Sequence, residues 1–144
     1  MDIAARIHDA PGFVHLLGPE VLSTDPALLR LDAGPQLHNH VGGPHAAAIF
    51  GLGETTAFVV VLDVFGDLVE AGVVPLVKRA DIDYSAIVTG PLLASGTLLG
   101  DEAGARDALA TRGRASFPVE VRFRREQDDA ETAVATYVMA LLQR

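Results

Sequence analysis

Three of the five histidines, His38, His40 and His45, fall within eight positions, with Asn39 between the first two and Gly42-Gly43-Pro44 leading to the third. Glu54 follows nine residues after His45, inside a stretch that is otherwise apolar through Ile49, Phe50, Ala57, Val60, Val61 and Val64. If that stretch is a helix, the histidines stand before its N-terminus. Unpaired backbone N–H groups and the positive end of the helix dipole there stabilise an oxyanion or a polarised carbonyl. A carboxylate about two and a half turns into a greasy helix is costly to bury unless it is paired or faces a cavity. Burial would raise its pKa and suit it to take a proton near neutral pH.

The elements that must position these groups follow from apolar spacing. Pro44 suits a first helical position, and the helix is expected over residues 44–65, ended by Gly66. Being apolar almost all round, it should be enclosed by protein. Residues 27–32 read as a strand, opened by Pro26 and closed by Gly34-Pro35. Residues 2–9 and 12–22 read as two short helices parted by Pro11, the second interrupted by Pro19. Beyond the long helix the apolar period becomes two. Residues 76–88 and 92–99 read as strands, 100–110 as an acidic, alanine-rich connection, and 112–125 as the most regular strand, with Ala115, Phe117, Val119, Val121 and Phe123 on one face. After the turn at 126–129 comes a last strand at 132–142, apolar on both faces and therefore central or interfacial. An antiparallel sheet must cover one face, and the long helix is the only large apolar object available. The expected class is α+β, one domain over 1–144, with a sheet wrapped around a central helix (core 26–142, N-terminal helical extension 1–25).

Composition narrows the chemistry. The 144 residues are 49% hydrophobic and 21% charged, a globular rather than disordered balance. With no cysteine there is no disulfide scaffold, zinc finger or thiolate nucleophile. A net charge of −8 argues against nucleic acid as a partner. The start, Met1-Asp2-Ile3-Ala4-Ala5-Arg6, has no basic, then apolar, targeting pattern, and the greasiest window carries Glu54 and two glycines, so a cytoplasmic protein with no membrane partner is expected. Such apolar content in a small chain points to self-association. The histidines lack a second His four residues along a helix or a nearby Asp, so no metal site is expected. No serine stands in a Gly-x-Ser-x-Gly elbow.

Asn39, His45 six residues later and Glu54 nine after that, with Thr55-Thr56-Ala57 behind, resemble the hotdog-fold thioesterases over residues 26–142. The likeness is to phenylacetate-pathway acyl-CoA thioesterases and to an uncharacterised hotdog subgroup. It implies the hotdog fold and hydrolysis of a small-molecule acyl or aryl thioester, with coenzyme A as part of the substrate and no separate cofactor. Glu54 would be the general base, the Ala47 N–H would polarise the carbonyl, and Asn39 and His45 would orient the water or the acyl group. Thr55, Phe50, Phe58 and Tyr84 would line the acyl site. Arg112 and Arg114, from six arginines between positions 106 and 125, would meet the CoA anion. The acid acts across a dimer interface in such folds, so a homodimer or dimer of dimers is implied. Two departures stand out: Ala46-Ala47 replaces the glycine pair after the histidine, and the acid is Glu rather than Asp. The alanines favour an alternative, a non-catalytic module binding an acyl group or small apolar ligand. Plainer roles stand beside these: Asn39 as a turn residue, Thr55 and Thr56 bonding back to the preceding turn, and most of the arginines as a solvated sheet face.

Overall fold

The computed structural model describes every residue from Met1 to Arg144. Two short helices, α1 (Ile3–His8) and α2 (Phe13–Leu17), precede a hairpin of β1 (Glu20–Thr24) and β2 (Ala27–Leu31). A 3-10 turn, Pro35–Leu37, and the histidine loop lead into α3 (Ala46–Glu70); then come β3 (Val74–Tyr84), β4 (Leu92–Leu98), α4 (Glu102–Arg112), β5 (Arg114–Arg125) and β6 (Glu131–Leu142). The six strands form one sheet in the order β1-β2-β4-β5-β6-β3, every neighbouring pair antiparallel.

The sheet curves around α3, which touches all six strands. Alternation along β5 and β6 turns Phe117, Val119, Val121, Phe123, Tyr137, Met139 and Leu141 inward, each buried. From α3 the core takes Leu52, Ala57, Val59, Val61 and Phe65. By length and composition α3 could cross a bilayer, but 72% of its most apolar window is buried in the fold, which accounts for its greasiness. Two glycines let sheet and helix close up: a Cβ on Gly53 would lie 2.3 Å from the Tyr137 hydroxyl, and one on Gly96 would lie 2.7 Å from a Val60 methyl.

The sheet wrapped on a helix is as expected, and β6 is central, between β5 and β3. Four local expectations need correcting. The second N-terminal helix stops at Leu17, because Gly18 takes the left-handed conformation (φ 64°) and Pro19 follows; residues 20–24 pair with β2 as a strand. The sheet therefore begins at Glu20, not near residue 26. Gly66 does not end α3. Phe65 leaves helical geometry (φ −121°, ψ 20°) and the helix resumes to Glu70. Residues 102–112 form α4 rather than a bare connection. Its Arg106 holds that kink: the guanidinium donates to the Val64 carbonyl at 2.7 Å, pairs with Asp67 and Glu102, and lies over the Phe65 ring. Lastly, the strand expected to reach residue 88 ends at Tyr84.

Candidate functional site

The residue pattern before α3 builds a tight loop. The Asn39 Oδ1 accepts the Val41 and Gly43 N–H groups (3.0 and 3.2 Å), and its Nδ2 donates to the Pro44 carbonyl (3.3 Å). Gly43 is required there, since a Cβ would fall 2.1 Å from the Val88 carbonyl oxygen. His38 bonds the Ala33 carbonyl through Nε2 at 2.9 Å. His40 is exposed. Asn39 is thus occupied in holding the loop, and the chain brings no three His, Asp or Glu side chains together in a metal-holding cluster.

His45 is the N-cap of α3. Its Nδ1 accepts the Ala47 N–H at 3.0 Å, taking the place usually filled by a Ser or Asp oxygen. Two consequences follow. The Ala47 N–H, expected to polarise a carbonyl, is already engaged. The imidazole is also fixed with Nδ1 unprotonated, so its neutral form carries the proton on Nε2 and presents it as a donor. The Ala46 N–H has no backbone acceptor, while the Ala46 carbonyl accepts the Tyr84 hydroxyl at 3.0 Å. Partial burial raises the Tyr84 pKa, keeping that donor protonated.

Glu54 stands exposed on the single chain, although its neighbours Gly53, Thr55, Thr56 and Ala57 are buried. The burial expected of it is not found: its side chain faces outward from the helix while its neighbours pack inward. It lines a cleft of about 640 Å³ together with Gly51, Thr55 and Phe58 of α3, Pro75, Leu76 and Val77 of β3, and Met139. Phe13 and Val14 of α2, with Arg6, Ile7, Asp9, Ala10 and Pro11, complete the wall. Thr55 and Thr56 turn their hydroxyls back onto the Gly51 and Leu52 carbonyls (both 2.8 Å), so the Thr55 proton is engaged within the helix. Phe50 and Tyr84, expected beside the acyl group, do not reach the cleft. Phe50 packs edge-on against Tyr137 (centroids 5.3 Å apart), and Tyr84 remains at the histidine end of the helix.

Tyr137, which sequence reasoning missed, ties these parts together. Fully buried, it donates to the Phe50 carbonyl at 2.7 Å; burial first, then the nearby Tyr84 phenol and Glu54 carboxylate, push its pKa far above the ordinary phenol value. A lone tyrosine on the inward face of a buried strand was the available signal, because its hydroxyl must find a partner.

The arginines divide cleanly. Arg106 pairs with Asp67 and Glu102, Arg122 with Glu120 and Glu131, Arg124 with Asp129, and Arg125 with Asp128. Arg112 and Arg114 make no ion pair and line a second groove of about 920 Å³ with Lys78, another residue not singled out from sequence. Leu76 and Val77, adjacent on β3, line both clefts.

Residues 14–141 match a family model described as a domain of unknown function, DUF4442. The chain belongs to the DUF4442 family. No curated protein matches this DUF4442 chain. Solved structures do. A Pseudomonas aeruginosa protein of unknown function, described as a probable thioesterase, is 21% identical with a TM-score of 0.81, covering 99% of this chain and 94% of that one. Thioesterase superfamily member 2 of zebra fish is 19% identical with a TM-score of 0.70, covering 97% and 93%. A mutant thioesterase enzyme from Staphylococcus aureus is 12% identical with a TM-score of 0.70, covering 90% and 97%. Likeness at these identities is one of architecture, and the DUF4442 domain here has the hotdog fold.

Proposed function

We propose that this DUF4442 domain hydrolyses a small-molecule acyl thioester, with Glu54 as general base. The observation that carries this reading is a carboxylate without a partner in the chain, on the central helix, facing a mostly apolar cleft. Volume and lining are those of a small-molecule site.

Helix geometry sets how the site is assembled. Nine residues at 1.5 Å each put Glu54 about 13 Å along the axis from the donors at His45 and Ala46 of the same chain, too far to share one carbonyl. A second copy resolves this. β3 is an eleven-residue strand whose outer edge is free. Paired antiparallel about Ala80, two copies set Arg79 of each opposite Asp81 of the other. Tyr84 touches the start of α3, whereas Pro75–Val77 line the Glu54 cleft. Such pairing brings the helix start of each copy toward the cleft of the other.

In the reaction Glu54 takes a proton from water as the water oxygen bonds to the thioester carbon. The oxyanion is met by the second copy's free Ala46 N–H and the His45 Nε2–H. The C–S bond then breaks, the thiolate regains the proton from Glu54, and an acid and a thiol leave. Arg112, Arg114 and Lys78, in the second groove, supply cations for the phosphates of a CoA thiol. Glu54→Ala should lower kcat by about 10²-fold or more on a substrate the wild type hydrolyses; unchanged turnover removes the assignment. The engaged Ala47 N–H favours a second reading, a module that binds acyl groups without turnover. Binding of acyl-CoA with no release of free CoA would decide for it.

A further inference from the structure

The cleft beside Glu54 has an unusual third wall. Gly51, Glu54, Thr55 and Phe58 lie at i, i+3, i+4 and i+7, one stripe of α3, and all face it. β3 closes one side. The other is closed by the N-terminal helices, where Phe13 lies against α3 at Gly51. A Cβ on Gly51 would fall 2.5 Å from the Phe13 ring, so the absence of that carbon lets the ring lie directly on α3, one turn before Glu54. Phe13 is nevertheless 52% exposed. The ring's edge, at Cε1 and Cζ, lies against the helix, and Phe13 also lines the cleft. The ring does not anchor the wall; Ile7 and Leu17, 4% and 3% exposed, do. The family match begins at residue 14, so α1 and Phe13 lie outside the stretch shared with the family.

We infer that Phe13 is a specificity-determining residue: its ring is the stop against which the end of the acyl chain packs, and it sets the longest acyl group the cleft accepts. This rests on the thioester reading for the identity of the ligand. Apolar contact explains the choice of residue. Each methylene moved from water into the cleft should tighten binding about fourfold, until the chain meets the ring. Beyond that length added methylenes stay in water or force the wall aside, and affinity levels off or falls.

The test uses the full-length protein and two parallel series from acetyl to dodecanoyl: hydrolysable acyl-CoA thioesters, and alkyl-CoA thioethers that bind but cannot be cleaved. Titration calorimetry on the thioethers should show affinity rising with chain length to a plateau. In Phe13→Ala the rise should continue for two or three more methylenes, making the longest accepted chains roughly 15- to 60-fold tighter than in wild type. Short chains should bind alike in both. The kcat/KM profile on the thioesters should shift by the same number of carbons. A folded Phe13→Ala with an unchanged length profile overturns the proposal. Should that variant fail to fold, Gly51→Ala provides the second arm: its new methyl displaces the ring from the helix, and the plateau must move if the ring is the stop. Thioether binding without thioester cleavage would sink the hydrolase reading while the thioether profile still judges Phe13. If wild type binds no thioether at all, the proposal falls.

Discussion

Gly51 and Gly53 are two residues apart on one helix, yet alanine should be costly at Gly53 and nearly neutral at Gly51. Intrinsic propensity favours Gly→Ala in a helix interior by about 0.5–1 kcal/mol. At Gly53 the new methyl would sit 2.3 Å from the Tyr137 hydroxyl and 2.6 Å from the Phe123 ring, both fully buried. Overpacking of this kind costs about 1–3 kcal/mol. The Tyr137 hydroxyl, pushed away, also loses the Phe50 carbonyl at 2.7 Å, about 1–3 kcal/mol more if it stays buried without a partner. Net destabilisation of about 2–4 kcal/mol is expected, seen in urea unfolding as a lower midpoint at unchanged slope and in heating as a Tm lower by roughly 5–15 °C. At Gly51 the obstacle is the half-exposed Phe13 ring on a short N-terminal helix, which can swing aside. Gly51→Ala should therefore be within about 1 kcal/mol of wild type, on either side. A Gly53→Ala protein as stable as wild type would show that Tyr137 does not pack on α3 as described, and the placement of Glu54 would go with it.

Removing the Asn39 side chain deletes three hydrogen bonds and leaves the buried Gly43 N–H short of an acceptor; Asn39→Ala should cost about 2 kcal/mol in denaturant unfolding and raise amide exchange at Val41 and Gly43. Acid should weaken the fold through Asp67, Glu126 and Asp128, whose pKa values Arg106, Arg30 and Arg125 hold below the ordinary 3.8, 4.5 and 3.8. Depressed carboxyls contribute stability that is full above the unfolded value and is lost as pH falls through the folded one. Tm should thus decline as pH drops below about 4.5, and Arg30→Met should flatten the Glu126 share of that slope. A Tm that holds steady from neutral pH to pH 3 would refute these pairings.

The strands that alternate cleanly, β5 and β6, were legible because one face of each is core and the period is fixed by the pleat. β1 was not, since five residues bounded by Pro19 and the Asp25-Pro26 turn are too few to display a period. α4 was hidden for another reason: it buries only Ala105, Ala108 and Leu109, so its alanines read as filler. The end of α3 depends on Arg106, far off in sequence, which no local rule anticipates. Among the site residues, the Asn39/His45/Glu54 spacing located the helix start, while only Glu54 of the three lines the cleft. It could not reveal that His45 caps Ala47, because cap geometry depends on the path of the loop. Spacing did hold one unread clue: nine helical residues separate Glu54 and His45 by too much for a single chain to use both on one bond.

That separation makes the central claim testable by complementation. Glu54→Ala and His45→Ala chains, each carrying a different tag, would be co-expressed, the mixed dimers purified through both tags, and release of free CoA from an acyl-CoA substrate measured against either parent. With Glu54 and the helix start contributed by different copies, each mixed dimer keeps one intact site and should show roughly half the wild-type rate while both parents fall by about 10²-fold. Mixed dimers no more active than their parents would contradict the account.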